Sequence, residues 1–138
     1  MIQCNSCLGF YSQRQRVSCL HSISHIWLHS YSYLYAAVIG TIVIQRLIVP
    51  TQGGQPDESK IQAAIAPAKT ALGAIESLTV GSPYLLGSEI SIADFFLIPI
   101  FIYFSQTPEF DAITAQAPKL QTWWKTVSEL PVVKKVCA

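Results

Sequence analysis

The sequence predicts an all-α fold, a helical bundle around a buried central helix, and three observations predict it. First, Phe95 to Phe104 is a run of ten residues with no charge, preceded by Ser91-Ile92-Ala93-Asp94. A helix that is apolar all round must be buried, and this one is too short to span a bilayer. Second, Ile61, Ala64, Ile65, Ala68, Leu72, Ile75 and Leu78 recur at three-four spacing, the signature of an amphipathic helix. Third, no stretch alternates with the two-residue period of a strand.

The elements follow in order. Ile26 to about Val49 reads as one long helix, ended by Pro50 and Gly53-Gly54. Pro56-Asp57-Glu58 opens a second, with a proline in the first turn and acids where the helix dipole favours them. Lys60, Lys69 and Glu76 lie on its solvent side, and Pro67 is expected to kink it. Thr79 to Ile90 is a loop punctuated by Gly81, Pro83 and Gly87. Ser91 and Asp94 then form a structural capping box, the hydroxyl accepting from the Asp94 N–H and the carboxylate from the Ser91 N–H. Ile90 and Phe95 are placed for a hydrophobic staple across that start. The central helix bends at Pro99. A short helix runs to Gln116, Pro118 starts another with Leu120, Trp123, Val127 and Leu130 on its buried side, and Pro131 opens a last turn.

At 138 residues the chain holds one sizeable core. Charged residues make up 12%, about half the usual quarter. So few charges cannot cover the surface, which points to a partner subunit or a missing domain over part of it. A net charge of +1 gives no electrostatic argument for nucleic acid or acidic substrates.

Residues 1–25 differ in composition from 26–138, and are read as a disordered or frayed lead-in to one helical domain. Cys4, Cys7, Cys19, His21, His25 and His29 are ligand types that zinc accepts, with the histidines four apart. The turn glycines of a zinc module are absent apart from Gly9, so no metal is assigned. Cys4-Asn5-Ser6-Cys7 lacks the preceding strand that a thiol-disulfide motif needs. Ile26 to Ile44 is long enough to cross a membrane. It is interrupted by His29, Ser30, Ser32 and Gly40, and a cytoplasmic domain helix is preferred to a span.

Tyr84-Leu85-Leu86-Gly87 leading into Ser91-Ile92-Ala93-Asp94-Phe95 resembles the entry to the central helix of the C-terminal domain of cytosolic glutathione transferases. Gln45 to Pro50, Gly53-Gly54 and Pro56-Asp57-Glu58 resemble the junction of that domain's first two long helices in bacterial-type members. Ala117-Pro118-Lys119-Leu120 with Trp123, and Leu130-Pro131, resemble its closing helices. The likeness covers Tyr31 to Val136 and four segments in order, which is far more specific than the box alone.

The resemblance implies a division of labour. In that family glutathione binds a thioredoxin-like domain, where a Tyr, Ser or Cys side chain and a helix start stabilise the thiolate. The helical domain supplies an apolar pocket for the electrophile. The first thirty residues are too few for that first domain, since one βαβ unit alone takes about thirty or more. The expectation is therefore a truncated transferase-like chain, inactive by itself, with glutathione a co-substrate only if a thioredoxin-like domain is supplied. Tyr31, Tyr35 and Val38 recur at three-four spacing on the first helix and are the substrate-pocket candidates, although the same spacing also describes core packing. No catalytic residue is assigned. No Ser-His-Asp or Cys-His arrangement and no phosphate loop is present. Expected partners are a second copy or a thioredoxin-like domain, and a small apolar electrophile. The alternative reading is a protein-protein interaction module of the same helical type.

Overall fold

The computed structural model describes residue 21 and residues 23–80 and 83–137, the side chains at 29–31 and 137 excepted. Among the described residues there is no strand, and an isolated antiparallel bridge joins Tyr84 to Gly87. The helices are α1 (Ile23–Thr51), α2 (Glu58–Leu78), α3 (Ile92–Phe104), α4 (Glu109–Thr114), α5 (Pro118–Ser128) and α6 (Pro131–Cys137). Helices α2 and α3 both pack along α1, and α4 and α5 close on α2. The cysteines at 4, 7 and 19 lie outside the described residues, as does the side chain of His29. The rings of His21 and His25 lie 4.2 Å apart, tilted by 52°.

Helix α1 is longer than the sequence predicts and wound differently. It starts before Ile26 and runs through Pro50 to Thr51. His29–Leu34 and Val38–Ile48 are π-wound, with α geometry at Tyr35–Ala37 and Val49–Thr51. The Val49 N–H accordingly donates to the Ile44 carbonyl, five residues back. The wider turn serves the core. In an α-helix each residue advances by about 100°, so nine residues would put Leu47 on the face opposite Val38. Here Val38, Ile42 and Val43 are buried, and Leu47 packs against the same core. By length and composition α1 could cross a membrane: its mean hydropathy is 1.6, and 28% of its most apolar 18-residue window is buried.

The end of α1 is a Schellman motif. The Gly54 N–H donates to the Val49 carbonyl at 3.0 Å, and the Gly53 N–H to that of Pro50 at 3.1 Å. Gly53 has φ of +77°, where a side chain is disfavoured, and a Cβ on Gly54 would meet Val49 Cγ1 at 2.8 Å.

Two neighbouring side chains of α1 then grip the start of α2. Gln45 Oε1 accepts the Asp57 N–H at 2.8 Å, and Arg46 pairs with Glu58. Asp57 caps α2, accepting from the N–H groups of Ser59 at 3.1 Å and Lys60 at 3.2 Å. The Lys60 N–H first, and then the Lys60 side chain, hold its carboxyl below the usual aspartate range. A folded pKa below the unfolded one means that the charge contributes fully above the ordinary value and loses its effect as pH falls through the folded value. The melting difference between the wild type and Asp57→Asn, which keeps a capping oxygen, is therefore expected to shrink from about pH 6 to about pH 3.

The stripe read on α2 is the observed one. Ile61, Ala64, Ala68, Leu72 and Ile75 are buried, and Ile65 and Leu78 are partly so. Glu76, assigned to the solvent side, instead caps α5: Oε1 accepts the Lys119 N–H and Oε2 the Leu120 N–H, both at 3.0 Å. These donors are free at any helix start, and the preceding Ala117 has no side-chain acceptor to offer them.

Helix α3 occupies the predicted central place, but the expectation that all its faces are buried is corrected. Ala93, Asp94, Leu97, Ile98, Ile100, Phe101 and Phe104 face the core. Ile92, Phe95, Pro99 and Tyr103 face outward. With Phe95 55% exposed and Ile90 also exposed, the expected staple is not a buried contact. On the core side, Phe101 meets the rings of Phe104, Phe110, Trp123 and Trp124 at 5.1 to 6.2 Å.

Candidate functional site

The outward stripe of α3 and the adjacent face of α1 enclose a groove of about 300 Å³. Tyr35 and Ile39 form one wall, and Phe95, Phe96, Pro99, Ile100 and Tyr103 the other. The α3 residues are two adjacent pairs and Tyr103, with Phe95, Pro99 and Tyr103 four apart, on one side of a helix with 3.6 residues per turn. Pro99 in mid-helix leaves the Phe95 carbonyl without its usual N–H partner, a recognised cause of bending. Trp27 extends the aromatic surface, its ring 6.4 Å from that of Phe96 and edge-on. Among the described residues no charged one lines the groove.

Of the sequence-predicted pocket residues, Tyr35 and Val38 do not meet at the groove. Tyr35 lines the groove. Val38 is fully buried in the core, and the side chain of Tyr31 lies outside the described residues. The sequence does not show the α3 wall, because a charge-free helix reads as wholly buried. Its signal was present in the low charge content, which required an uncovered apolar face somewhere.

Behind the groove, Asp94 fixes the position of α3. Its carboxylate is fully buried and takes four hydrogen bonds. Oδ2 accepts from the Ser91 N–H at 2.8 Å and the Ser91 hydroxyl at 2.7 Å. Oδ1 accepts from the Leu85 N–H at 3.1 Å and from Trp123 Nε1 at 2.7 Å. The capping box is present, and its short bonds all converge on the acid, while the Asp94 N–H also reaches the Ser91 carbonyl at 3.1 Å. One carboxylate thus joins the loop, the start of α3 and α5. Its bonding is architectural, since it lies on the core side of α3, away from the groove.

At the far end of α1, Arg46 bridges two acids. Nε and Nη2 donate to Glu109 Oε1 at 2.8 and 2.5 Å, and Nη1 and Nη2 to the Glu58 carboxylate at 2.5 and 3.0 Å. The Glu109 bonds, then those of Glu58, hold the guanidinium pKa above its ordinary value. Among the described residues no group of three His, Cys, Asp or Glu is placed to hold a metal ion.

An all-helical domain with an apolar, charge-free groove beside a capped central helix is the class that the fold and site define. The family model for the glutathione S-transferase C-terminal domain matches residues 35–131, and the chain belongs to that family. It is 28% identical over 116 residues to glutathione S-transferase 2 of Triticum aestivum, covering 81% of this chain and 40% of the relative. It is 32% identical over 129 residues to the glutathione S-transferase-like protein OpS6 of Beauveria bassiana (strain ARSEF 2860), covering 85% and 53%. The chain thus spans from two fifths to about half the length of these curated relatives. Among solved structures, glutathione transferase F7 from Populus trichocarpa superposes with a TM-score of 0.69 at 28% identity, over 87% of this chain and 55% of that one. Glutathione S-transferase I from maize, in complex with an atrazine glutathione conjugate, gives 0.71 at 24% identity over 91% and 58%, a likeness of fold.

Proposed function

We propose that this chain is the electrophile-binding half of a glutathione transferase-like protein. The groove between α1 and α3 takes a small apolar electrophile, and a thioredoxin-like domain, in the same polypeptide or another, holds and activates glutathione. The observation that carries this reading is the charge-free lining of the groove in a chain of this family. Such a lining suits an apolar molecule and not glutathione, a charged peptide whose carboxylates would lose their hydration without a cation or N–H group in return. On this reading the chain is cytoplasmic and conjugates nothing alone.

The test is a calorimetric titration of the purified chain with glutathione, its size distribution recorded in the same buffer without detergent. No saturable heat is expected. Saturable binding would overturn the division of labour, because it requires a thiol-peptide site within this domain.

A second reading is supported by the width of the aromatic face, which continues from the groove to the exposed ring of Trp27 on α1, 6.4 Å from that of Phe96. An interaction module would use this face for a protein, as exposed apolar patches commonly do. It predicts a monodisperse chain that gains a partner and shows no affinity for small apolar ligands.

A further inference from the structure

The groove is apolar but not featureless. Of the described residues lining it, only Tyr35 and Tyr103 carry a polar side-chain atom. Tyr103 stands at the C-terminal end of the open stripe of α3, eight residues and so about 12 Å from Phe95. It is 53% exposed, and among the described residues its hydroxyl makes no hydrogen bond to the protein. Tyr103 thus brings an unengaged hydroxyl to a lining it shares with Phe95, Phe96, Pro99 and Ile100. A ligand whose end reaches this hydroxyl displaces its water, and only a ligand with an acceptor there restores the hydrogen bond.

We propose that Tyr103 is a specificity-determining residue: its hydroxyl donates a hydrogen bond to an acceptor oxygen at one end of a neutral, one- or two-ring aromatic ligand lying on Phe95 and Phe96. The inference rests on the reading of the groove as a small-molecule pocket, and names the class of molecule that it selects. Three features define that class. The volume of about 300 Å³ is at the lower end of small-molecule sites, which run from about 300 to 1,000 Å³. The absence of charge in the lining disfavours an ion, and aromatic walls favour offset or edge-on contact with a flat ring. A site that offers a hydrogen bond discriminates against the analogue that cannot take it.

Two probes of nearly the same shape test the proposal: 2-acetylnaphthalene, which carries an acceptor, and 2-ethylnaphthalene, which does not. Each is titrated into the full chain and into Tyr103→Phe. That variant keeps the ring at an exposed position, and its melting curve checks the fold. The expected result is that the acetyl-to-ethyl affinity ratio falls by about two- to tenfold in Tyr103→Phe, while the affinity for the ethyl compound stays the same. Comparing ratios removes the difference in hydration between the probes. If both compounds bind and the ratio is the same in the two proteins, Tyr103 does not select and the pocket reading stands. If neither compound binds the wild type, the pocket reading fails and takes this inference with it.

Discussion

Replacing Asp94 by Ala is expected to lower the stability of the domain by about 3–5 kcal/mol, because it strands several buried donors at once. The N–H groups of Leu85 and Ser91 and Trp123 Nε1 all lose their acceptor in one step. Each buried donor left unsatisfied costs about 1–3 kcal/mol, although the Ser91 hydroxyl can turn to another partner. A loss of this size is a large share of the 5–15 kcal/mol that a domain typically has. Asp94→Asn should recover only part of it, since its NH₂ group must face one of these donors. Denaturant melts followed by circular dichroism measure the effect. A midpoint for Asp94→Ala close to the wild type would mean that the carboxylate does not organise this end of α3.

The place of this acid was legible in the sequence, but most of its bonding was not. Ser91 and Asp94 are three residues apart, so local rules predict their pairing. Trp123 is 29 residues further on, and nothing in the spacing says that its indole N–H reaches Asp94. A capping box alone puts the loss for Asp94→Ala nearer 1 kcal/mol. The long-range bond accounts for much of the difference. Glu76 shows the same limit: it lies on the charged side of the α2 pattern, yet its carboxylate serves a helix more than forty residues away. Hydrophobic period predicts which face of a helix turns inward, and cannot predict which polar group meets another element.

Helix α1 failed to be legible for a different reason. The templates for reading helices assume 3.6 residues per turn, and on that period Tyr31, Tyr35 and Val38 share a face. The π-wound segments on either side of Tyr35–Ala37 change that registration, leaving Tyr35 at the groove and Val38 in the core. On α3 the pattern itself was ambiguous. With no charged residue from Phe95 to Phe104, sequence cannot distinguish the face that packs inside from the face left for a ligand or partner.

Arg46→Met is expected to cost about 2–4 kcal/mol, nearly all of it through Glu109. The two acids on Arg46 differ in solvation: the Glu109 side chain is 10% exposed and that of Glu58 61%. Removing the cation leaves the Glu109 carboxylate buried without its counter-charge, and its Oε2 already lacks a protein partner. Glu58 returns to water, where an exposed pair is typically worth about 0–1 kcal/mol and is screened by salt. Glu58→Ala should therefore shift the denaturation midpoint little, while Glu109→Gln made in the Arg46→Met background should recover part of the loss. A double-mutant cycle on Arg46 and Glu109 should give the larger coupling energy, and raising the salt concentration should weaken it less than the coupling of Arg46 to Glu58. Equal couplings in the two cycles would show that burial does not separate the two arms. Because Arg46 ties α1 to the starts of α2 and α4, the energy measured is that of holding three helix ends together. Tyr35 and Ile39 lie on the same α1 but far from this clamp, so the groove is expected to keep its affinity for an apolar ligand at any temperature where Arg46→Met remains folded.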